Sequence, residues 1–192
     1  MSERQARPDR GAPAPAQRPT RIADAALELV AEHGLKGLTH RAVDQRAGLP
    51  AGSTSNLHRT RAALVDAVVA RLEQRDLALW EADRGTPVPA DAEQLADRLA
   101  RYLGVFAGPQ AELTRARFAV SLGEPDAVRQ GHARFMGVAR AMLEAAGIPE
   151  PAMRARWLAD YCDGMLLHQV TARRDEPLDL EPHRVAIRRL LD

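Results

Sequence analysis

Residues 47–61, AGLPAGSTSNLHRTR, form an unusually thin and polar stretch in a sequence that otherwise reads as helix. They contain two glycines, a proline and four small hydroxyl residues, but few large apolar side chains. Segments with strong apolar periodicity lie on both sides of them. A helix that packs only on a core keeps large apolar residues on one face, so this stretch needs another explanation.

The spacing of apolar residues predicts that the stretch belongs to a set of four helices. The first begins at Thr20, whose hydroxyl can cap it, and ends at Gly34. The second is capped by Thr39 and ends at Gly48, where glycine allows a positive φ. The fourth is capped by Thr60 and continues to about residue 83. The inward-facing residues predicted for these three helices are Ile22, Ala26, Leu29, Val30, Ala42, Val43, Ala47, Leu64, Val68, Leu72 and Leu79.

The third helix, predicted over about Pro50–His58, carries little that could pack in a core. Only Thr54, Leu57 and His58 are candidates to face inward. The other positions are small or hydrogen-bonding, as a helix in the DNA major groove requires, because small residues let the backbone approach and polar side chains read base edges. A short helix, a glycine turn and this helix together indicate a helix-turn-helix.

Two other kinds of segment have a similar composition. A phosphate-binding glycine loop is excluded, because no Gly-Lys-Ser/Thr follows the glycines and no strand pattern precedes them. A flexible Ser/Gly loop agrees with the composition as well, and the local pattern alone leaves it open.

Composition narrows the class of protein. With 192 residues, of which 45% are hydrophobic and 4% aromatic, the chain can build a sizeable core mainly from Ala, Leu and Val. No apolar run approaches the ~18 residues of a membrane span, and none resembles a signal peptide. The single cysteine, Cys162, fits a reducing compartment. We therefore expect a cytoplasmic protein with no membrane partner.

Charge is distributed unevenly along the chain. Residues 1–61 hold ten Lys/Arg against six Asp/Glu, whereas residues 62–192 hold seventeen against twenty. The basic first third favours a polyanionic partner. Residues 1–19, rich in proline and arginine, are predicted to be a disordered arm, either a simple tail or a segment that follows a DNA groove.

No catalytic or metal-binding constellation is recognisable in the sequence. The six histidines form no HExxH motif, and Cys162 has no second cysteine with which to bind zinc. Cys162 lies among apolar residues, as expected of a buried, unreactive thiol. The sequence therefore predicts neither an enzyme nor a metal or cofactor site.

The rest of the sequence also consists of helical segments separated by turns, without a strand pattern. The whole chain is predicted to be all-α, with about nine helices. The long segment 150–174 has apolar residues on more than one face, as a helix requires when it packs on both a core and a partner. It is either a dimerisation helix or the central helix of a monomeric bundle.

Residues 38–72, LTHRAVDQRAGLPAGSTSNLHRTRAALVDAVVARL, resemble the helix-turn-helix of the tetracycline-repressor-like (TetR/AcrR) family of bacterial transcriptional regulators. The Leu-Thr opening, the Ala-Gly-hydrophobic turn, the Gly-small pair and the Ser/Thr-basic cap match in order. The resemblance covers about residues 20–75. It implies a DNA-binding domain at 20–66, after the arm at 1–19, and a ligand-binding and dimerisation domain at 67–192.

By position, the resemblance implies that nine residues contact double-stranded DNA, namely Thr39, His40, Arg41, Ala51, Gly52, Ser53, Ser55, Asn56 and Arg61. The chain departs from the family at Ser55 and Leu57, where many members carry tyrosines that contact DNA. Arg59 is a candidate to compensate for them. His58 stands where a core aromatic residue is usual, and it is either packed in the core or a DNA contact.

The resemblance also implies a homodimer built on an intersubunit four-helix bundle, here from the 150–174 helix and a last helix at 182–191. The dimerisation candidates are Leu158, Cys162, Met165, Leu166, Val170, Val185 and Leu190. Family members usually hold a small-molecule pocket in the middle helices. The pocket candidates are Phe106, Phe118, Phe135, Met136, Trp157 and Tyr161, although such a set at helical spacing is also typical of plain core.

Together these expectations describe a homodimeric repressor that leaves a palindromic operator when a small-molecule effector of unidentified chemistry binds. The alternative is a helical small-molecule carrier or interaction module that has lost DNA binding. Salt-dependent affinity for DNA distinguishes the two, because a carrier has no such affinity.

Overall fold

The computed structural model describes residues 17–83 and 85–192, which fold into helices joined by short turns, with no β-strand in these ranges. This confirms the predicted all-α architecture. Every helix in these ranges is too short or too polar to cross a bilayer. The helices are α1 (Arg18–Gly37), α2 (His40–Arg46), α3 (Ser53–Leu57), α4 (Arg61–Ala82), α5 (Ala92–Ala107), α6 (Ala111–Gly123), α7 (Pro125–Ala145), α8 (Pro151–Val170) and α9 (Glu181–Leu191).

Threonine side chains begin two of the helices, as predicted. The Thr39 hydroxyl accepts a hydrogen bond from the Ala42 N–H at the start of α2, and the Thr60 hydroxyl accepts one from the Ala63 N–H at the start of α4, both at 3.1 Å. Gly48 follows α2 with the predicted positive φ, 61°. These local signals place α2 and α4 within a residue of their predicted starts.

The first helix begins slightly earlier than predicted. α1 starts at Arg18 instead of at the cap Thr20, because Pro19 occupies the first turn, where its missing N–H costs no hydrogen bond. Gly34 interrupts the helix at φ 64° and ψ −171°, in agreement with its predicted role as a stop. Residues 1–16 of the predicted arm lie outside the described residues.

Two apolar clusters organise the molecule. The first joins α1, α2 and α4 to one side of α6, and Ile22, Leu64 and Val120 are fully buried in it. The second lies among α5, α7, α8 and α9, with Ile187 fully buried. The domain boundary predicted between residues 66 and 67 falls within α4, which runs unbroken across it.

α8 is shorter than the predicted 150–174 helix. It ends at Val170, because the backbone leaves the helical region at Thr171, with φ −125° and ψ −92°. The buried Gln169 side chain holds the segment that follows, since its amide donates to the carbonyl of Arg173 at 3.1 Å and to that of Glu176 at 3.0 Å. The α8–α9 connection is thereby fixed to the end of α8.

An ion-pair cluster fastens α4 to α1. Asp24 accepts hydrogen bonds from Nε and Nη2 of Arg71 at 2.7 and 3.0 Å, and from Nη2 of Arg75 at 3.0 Å. Burial alone would raise the pKa of Asp24 and is the largest single influence on it. The hydrogen bonds and charges of the two guanidinium groups together outweigh burial and hold the pKa below its ordinary value.

The first residue of α4, Arg61, binds the C-terminal end of α1. Arg61 donates from Nη1 to the Leu38 carbonyl and from Nη2 to the Leu35 carbonyl, both at 2.7 Å. These carbonyls follow the break at Gly34, and the Leu35 carbonyl also accepts the Leu38 N–H at 3.2 Å. A guanidinium group at this position satisfies them and complements the negative end of the helix dipole.

Replacing Asp24 by asparagine keeps the shape of the side chain but removes its charge. We expect Asp24→Asn to lower the free energy of unfolding at neutral pH by about 1 kcal/mol. Because the native pKa is depressed, this contribution is complete above about pH 3.9 and is lost as the pH falls through the lower native value. Urea unfolding from neutral to strongly acidic pH should therefore show the two proteins converging at the acid end. A pH-independent difference would contradict the ion-pair account.

Removing the Arg61 side chain should deprive the Leu38 and Leu35 carbonyls of their guanidinium donors, while the Leu35 carbonyl keeps its bond from the Leu38 N–H. We expect Arg61→Ala to lower the free energy of unfolding by about 1–2 kcal/mol, measured by urea denaturation. Arg59→Ala is the matched control for stability, because Arg59 is exposed and has no partner among the described residues. Equal stability of the two variants would show that the Arg61 contacts contribute nothing to folding.

Candidate nucleic-acid interface

α2 and α3 form a two-helix unit whose second helix is short. The predicted helix over about Pro50–His58 was too long, because residues 50–52 form a turn and α3 begins only at Ser53. Gly52 has a φ of 90°, a left-handed conformation that no helix can continue through. The Pro50 carbonyl closes the turn by accepting hydrogen bonds from the N–H of Ser53 at 3.1 Å and from its hydroxyl at 2.7 Å.

A buried carboxylate joins α2 to α3. Asp44 is 4% exposed and accepts hydrogen bonds from the N–H of Gly52 at 2.7 Å, the N–H of Thr54 at 2.7 Å and the Thr54 hydroxyl at 2.6 Å. Thr54 is itself fully buried, as predicted. The sequence reasoning missed Asp44. The available signal was a charged residue on the inward face of α2, beside Val43 and Ala47.

The outer face of α3 is polar and exposed. Ser55 and Asn56 both face solvent, and the Asn56 amide has no hydrogen-bond partner in the described part of the chain. The Ser55 hydroxyl donates to the Gly52 carbonyl at 3.0 Å, which leaves its oxygen able to accept another bond. Ala51 is exposed just before the helix. This face is therefore available to a second molecule.

Leu57 also faces solvent, with 48% of its surface exposed, so its predicted place in the core was wrong. His58 takes the inward place instead, because it lies one helical turn after Thr54. His58 is half-buried, and burial lowers its pKa. Its carbonyl lies 2.6 Å from Nε2 of His40. Since a carbonyl can only accept, His40 donates this bond and ties the start of α2 to the end of α3.

Arg41 at the start of α2 and Arg59 after α3 are exposed cations without a hydrogen bond or ion pair among the described residues. Two other basic residues nearby are already engaged. Arg46 donates to both carboxylate oxygens of Glu32 at 2.8 and 2.6 Å, and Arg61 is held by the two carbonyls described above. Uncompensated positive charge therefore remains at Arg41 and Arg59.

The contacts within this unit gather the predicted DNA-contact residues around α2, α3 and the start of α4. A shallow depression of about 190 Å³ separates the starts of α2 and α4 and is lined by Leu38, Thr39, His40, Arg61 and Leu64. Three predicted contact residues therefore lie there. The other six lie on α2, on the turn and on α3, namely Arg41, Ala51, Gly52, Ser53, Ser55 and Asn56.

The six residues predicted to line a ligand pocket divide into two groups. Four are half-buried against the second apolar cluster, one each from α5, α6, α7 and α8, namely Phe106, Phe118, Met136 and Tyr161. Phe135 and Trp157 are instead 48% and 44% exposed, so they do not line an interior pocket with the other four. The Arg117 guanidinium lies 5.3 Å from the centre of the Phe106 ring, so the ring of one pocket candidate already makes a cation–π contact.

Four of the seven predicted dimerisation residues are buried within the chain itself, each at most 8% exposed, namely Leu158, Met165, Leu166 and Val170. Side chains this deeply buried in one chain offer little surface to a second copy. Cys162, Val185 and Leu190 are half-buried. Burial is the main cause that raises the pKa of the Cys162 thiol to about 12, so the thiol stays protonated and unreactive at neutral pH.

Five large apolar side chains stay exposed on α7 and α8, and the three on α8 lie on the opposite side of that helix from its buried row. Phe135 and Val138 on α7 are 48% and 44% exposed, and Met153, Trp157 and Leu167 on α8 are 37%, 44% and 37% exposed. We refer to these five residues as the α7–α8 apolar surface. It borders a depression of about 420 Å³ lined by Arg140, Glu144, Glu150, Pro151, Ala152 and Met153.

The C-terminal half of the chain matches a known family. The profile of the family described as "Tetracyclin repressor-like, C-terminal domain" matches residues 90–192, which is just over half of the chain. No curated protein matches the sequence at a significant level.

Solved structures match the chain over most of its length. A member of the TetR family from Streptomyces coelicolor is 29% identical, with a TM-score of 0.75, and the match covers 92% of this chain and 99% of that one. The multidrug binding protein EbrR in complex with ethidium is 31% identical, with a TM-score of 0.69 and the same coverage. EbrR in complex with proflavin is 33% identical, with a TM-score of 0.62, over 90% of this chain and 99% of that one.

The sequence motif, the helical fold and the matching proteins therefore indicate the same family. The resemblance carried by residues 38–72 extends through the remaining helices, whose fold matches a TetR-family member of known structure. The chain belongs to the TetR family of transcriptional regulators.

Proposed function

We propose that this chain is a homodimeric repressor that binds a palindromic double-stranded DNA operator and leaves it when a small-molecule effector binds. The observation that carries the proposal is the outer face of α3. Ser55, Asn56 and Leu57 project from a helix fixed to α2, and nothing in the described part of the chain covers them. Arg41 and Arg59 add unpaired positive charge on either side.

The exposed side chains have the chemistry of base and phosphate contacts. The Asn56 amide can pair with an adenine edge, and the methyl groups of Ala51 and Leu57 can contact thymine methyl groups in the major groove. Arg41 and Arg59 can bind phosphates and supply affinity that does not depend on sequence. We assign His40 and Arg61 a supporting part, because their donors already hold the ends of α3 and α1.

A single α3 would read too few bases for a useful operator, so the proposal includes a two-fold dimer with half-sites about 34–36 Å apart. The α7–α8 apolar surface is the proposed interface. Exposed aromatic and aliphatic side chains on two adjacent helices can meet the same residues of a second copy across a two-fold axis, as in a four-helix bundle. This replaces the buried row of α8 as the dimerisation surface.

The effector site is proposed among Phe106, Phe118, Met136 and Tyr161. Each of α5, α6, α7 and α8 supplies one of these half-buried side chains, so a ligand between them would contact four helices at once. EbrR, solved with ethidium and with proflavin, shows that a relative binds flat aromatic molecules. We therefore propose an aromatic effector for this chain.

The proposed function is tested by selecting duplexes from a random pool and measuring fluorescence anisotropy at about 50 and 200 mM salt. A regulator should bind a selected palindrome roughly 10³-fold more tightly than random DNA and lose orders of magnitude in affinity at the higher salt. Failure to enrich any duplex at low salt would contradict DNA binding and favour a small-molecule carrier.

Two substitutions separate base recognition from phosphate binding. Asn56→Ala should cost about 1–3 kcal/mol on the selected duplex and relax the preference at one position, because it removes a base contact. Arg59→Ala should weaken all duplexes equally and reduce the slope of log affinity against log salt by about one. Each variant is the control for the other, measured by the same anisotropy assay. A uniform loss with Asn56→Ala, or an unchanged slope with Arg59→Ala, would remove that residue from its role.

A charge placed in the α7–α8 apolar surface should separate the dimer. We expect Val138→Glu and Trp157→Glu each to convert the protein to monomer in sedimentation velocity, because each would bury an unpaired carboxylate at the interface. Leu122→Glu is the matched control, since Leu122 on α6 is 80% exposed and lies outside that surface. Dimers that persist in both variants would place the interface elsewhere. A monomeric wild type would exclude the proposed dimer.

A further inference from the structure

α3 lacks the features that make a helix stable by itself. It spans five residues, far fewer than an isolated helix needs in water. Its N-cap residue is Gly52, which has no side chain to accept a hydrogen bond from the first turn. Thr54 is the only residue of α3 that is fully buried. Something outside the helix must therefore define where it starts and how it is oriented.

Asp44 supplies the missing cap from another helix. Its Oδ2 accepts the N–H of the N-cap residue Gly52 at 2.7 Å, and its Oδ1 accepts the N–H of Thr54, the second residue of α3, at 2.7 Å. Oδ1 also accepts the Thr54 hydroxyl at 2.6 Å. The Thr54 N–H is an orphan donor that an N-cap side chain normally satisfies, and the Gly52 N–H is the one that the third helical residue of a capping box normally satisfies. The carboxylate also complements the positive end of the helix.

We propose that Asp44 is a positioning residue for DNA recognition: its carboxylate, held on α2, sets the start and orientation of α3 and thereby the sequence selectivity of the protein. This inference rests on the proposed DNA-binding function. Asp44 is not itself proposed as a base contact, because it is buried and the hydrogen bonds of its carboxylate run to Gly52 and Thr54.

The structure separates this role from general stability. The first apolar cluster is built from α1, α2, α4 and α6 and contains no residue of α3. Val43 and Ala47 of α2 are buried in that cluster whether or not Asp44 holds α3. Loss of the carboxylate should therefore leave the α1–α2–α4 core folded while α3 loses its fixed start. Gly52, at φ 90° and without a side chain, would then be free to change conformation.

Three variants test the proposal. Asp44→Ala removes both acceptor oxygens, whereas Asp44→Asn removes the charge but keeps one acceptor, so comparison of the two isolates the hydrogen bonds from the charge. Thr54→Val is the control, because it loses the hydroxyl but keeps both backbone N–H bonds to Asp44. Circular dichroism first establishes that each variant retains its helices.

The first readout needs no DNA. In Asp44→Ala we expect amide hydrogen exchange at Gly52 and Thr54 to become at least about tenfold faster, with exchange at Leu64 and Val68 in the core unchanged. Asp44→Asn should be intermediate and Thr54→Val close to wild type. Unchanged exchange at Gly52 and Thr54 in Asp44→Ala would overturn the proposal.

The second readout is the ratio of affinities for a selected palindrome and for random DNA at fixed salt. We expect Asp44→Ala to lower this ratio about tenfold or more by weakening the affinity for the palindrome alone. Affinity for random DNA should not change, because binding to phosphates does not require an oriented α3. An equal loss on both duplexes would indicate a merely structural role and overturn the proposal. If wild type enriches no duplex, the proposed function fails, and the exchange measurement still decides whether Asp44 positions α3.

Discussion

The packing of α1 against α6 is the contact on which the placement of the N-terminal helices depends. α6 contributes Ala116 and Val120, both fully buried, to the same apolar cluster as α1, α2 and α4. At the end of α6, Gly123 lets the Leu35 side chain approach so closely that a Cβ on Gly123 would lie 2.3 Å from Leu35 Cδ1. One side of α1 therefore packs on α4 and another on α6. The orientation of α1 in turn sets the orientation of the α2–α3 unit.

The same helix offers a physical route for the proposed effector response. α6 places Ala116 and Val120 in the first cluster, while Phe118 packs against the second, where we propose that an effector binds. On the same helix, Arg117 is paired with Asp76 of α4 at 2.8 Å. A ligand that displaces Phe118 would shift α6 and, through α1 and α4, the spacing of two α3 helices on DNA. An effector acts only by favouring one such arrangement over another.

Much of the fold follows from local signals that the sequence displays. Caps such as Thr39 and Thr60 and the stop at Gly34 act within a few residues, so they were predictable without tertiary structure. The start of α3 was not, because it depends on hydrogen bonds to Asp44 from residues eight and ten positions away. Periodicity also showed that α8 is apolar on two sides. It could not show which side is internal, since that depends on packing among α5, α7 and α9.

Hydrogen–deuterium exchange of the full chain, with and without a selected palindromic duplex, tests the central claim most directly. The account predicts slower exchange in residues 39–61, where the starts of α2 and α4 and the whole of α3 would meet DNA. A random duplex at the same concentration should give much weaker protection. Tight binding of the duplex without protection in residues 39–61 would contradict the account, because DNA would then be held by another surface.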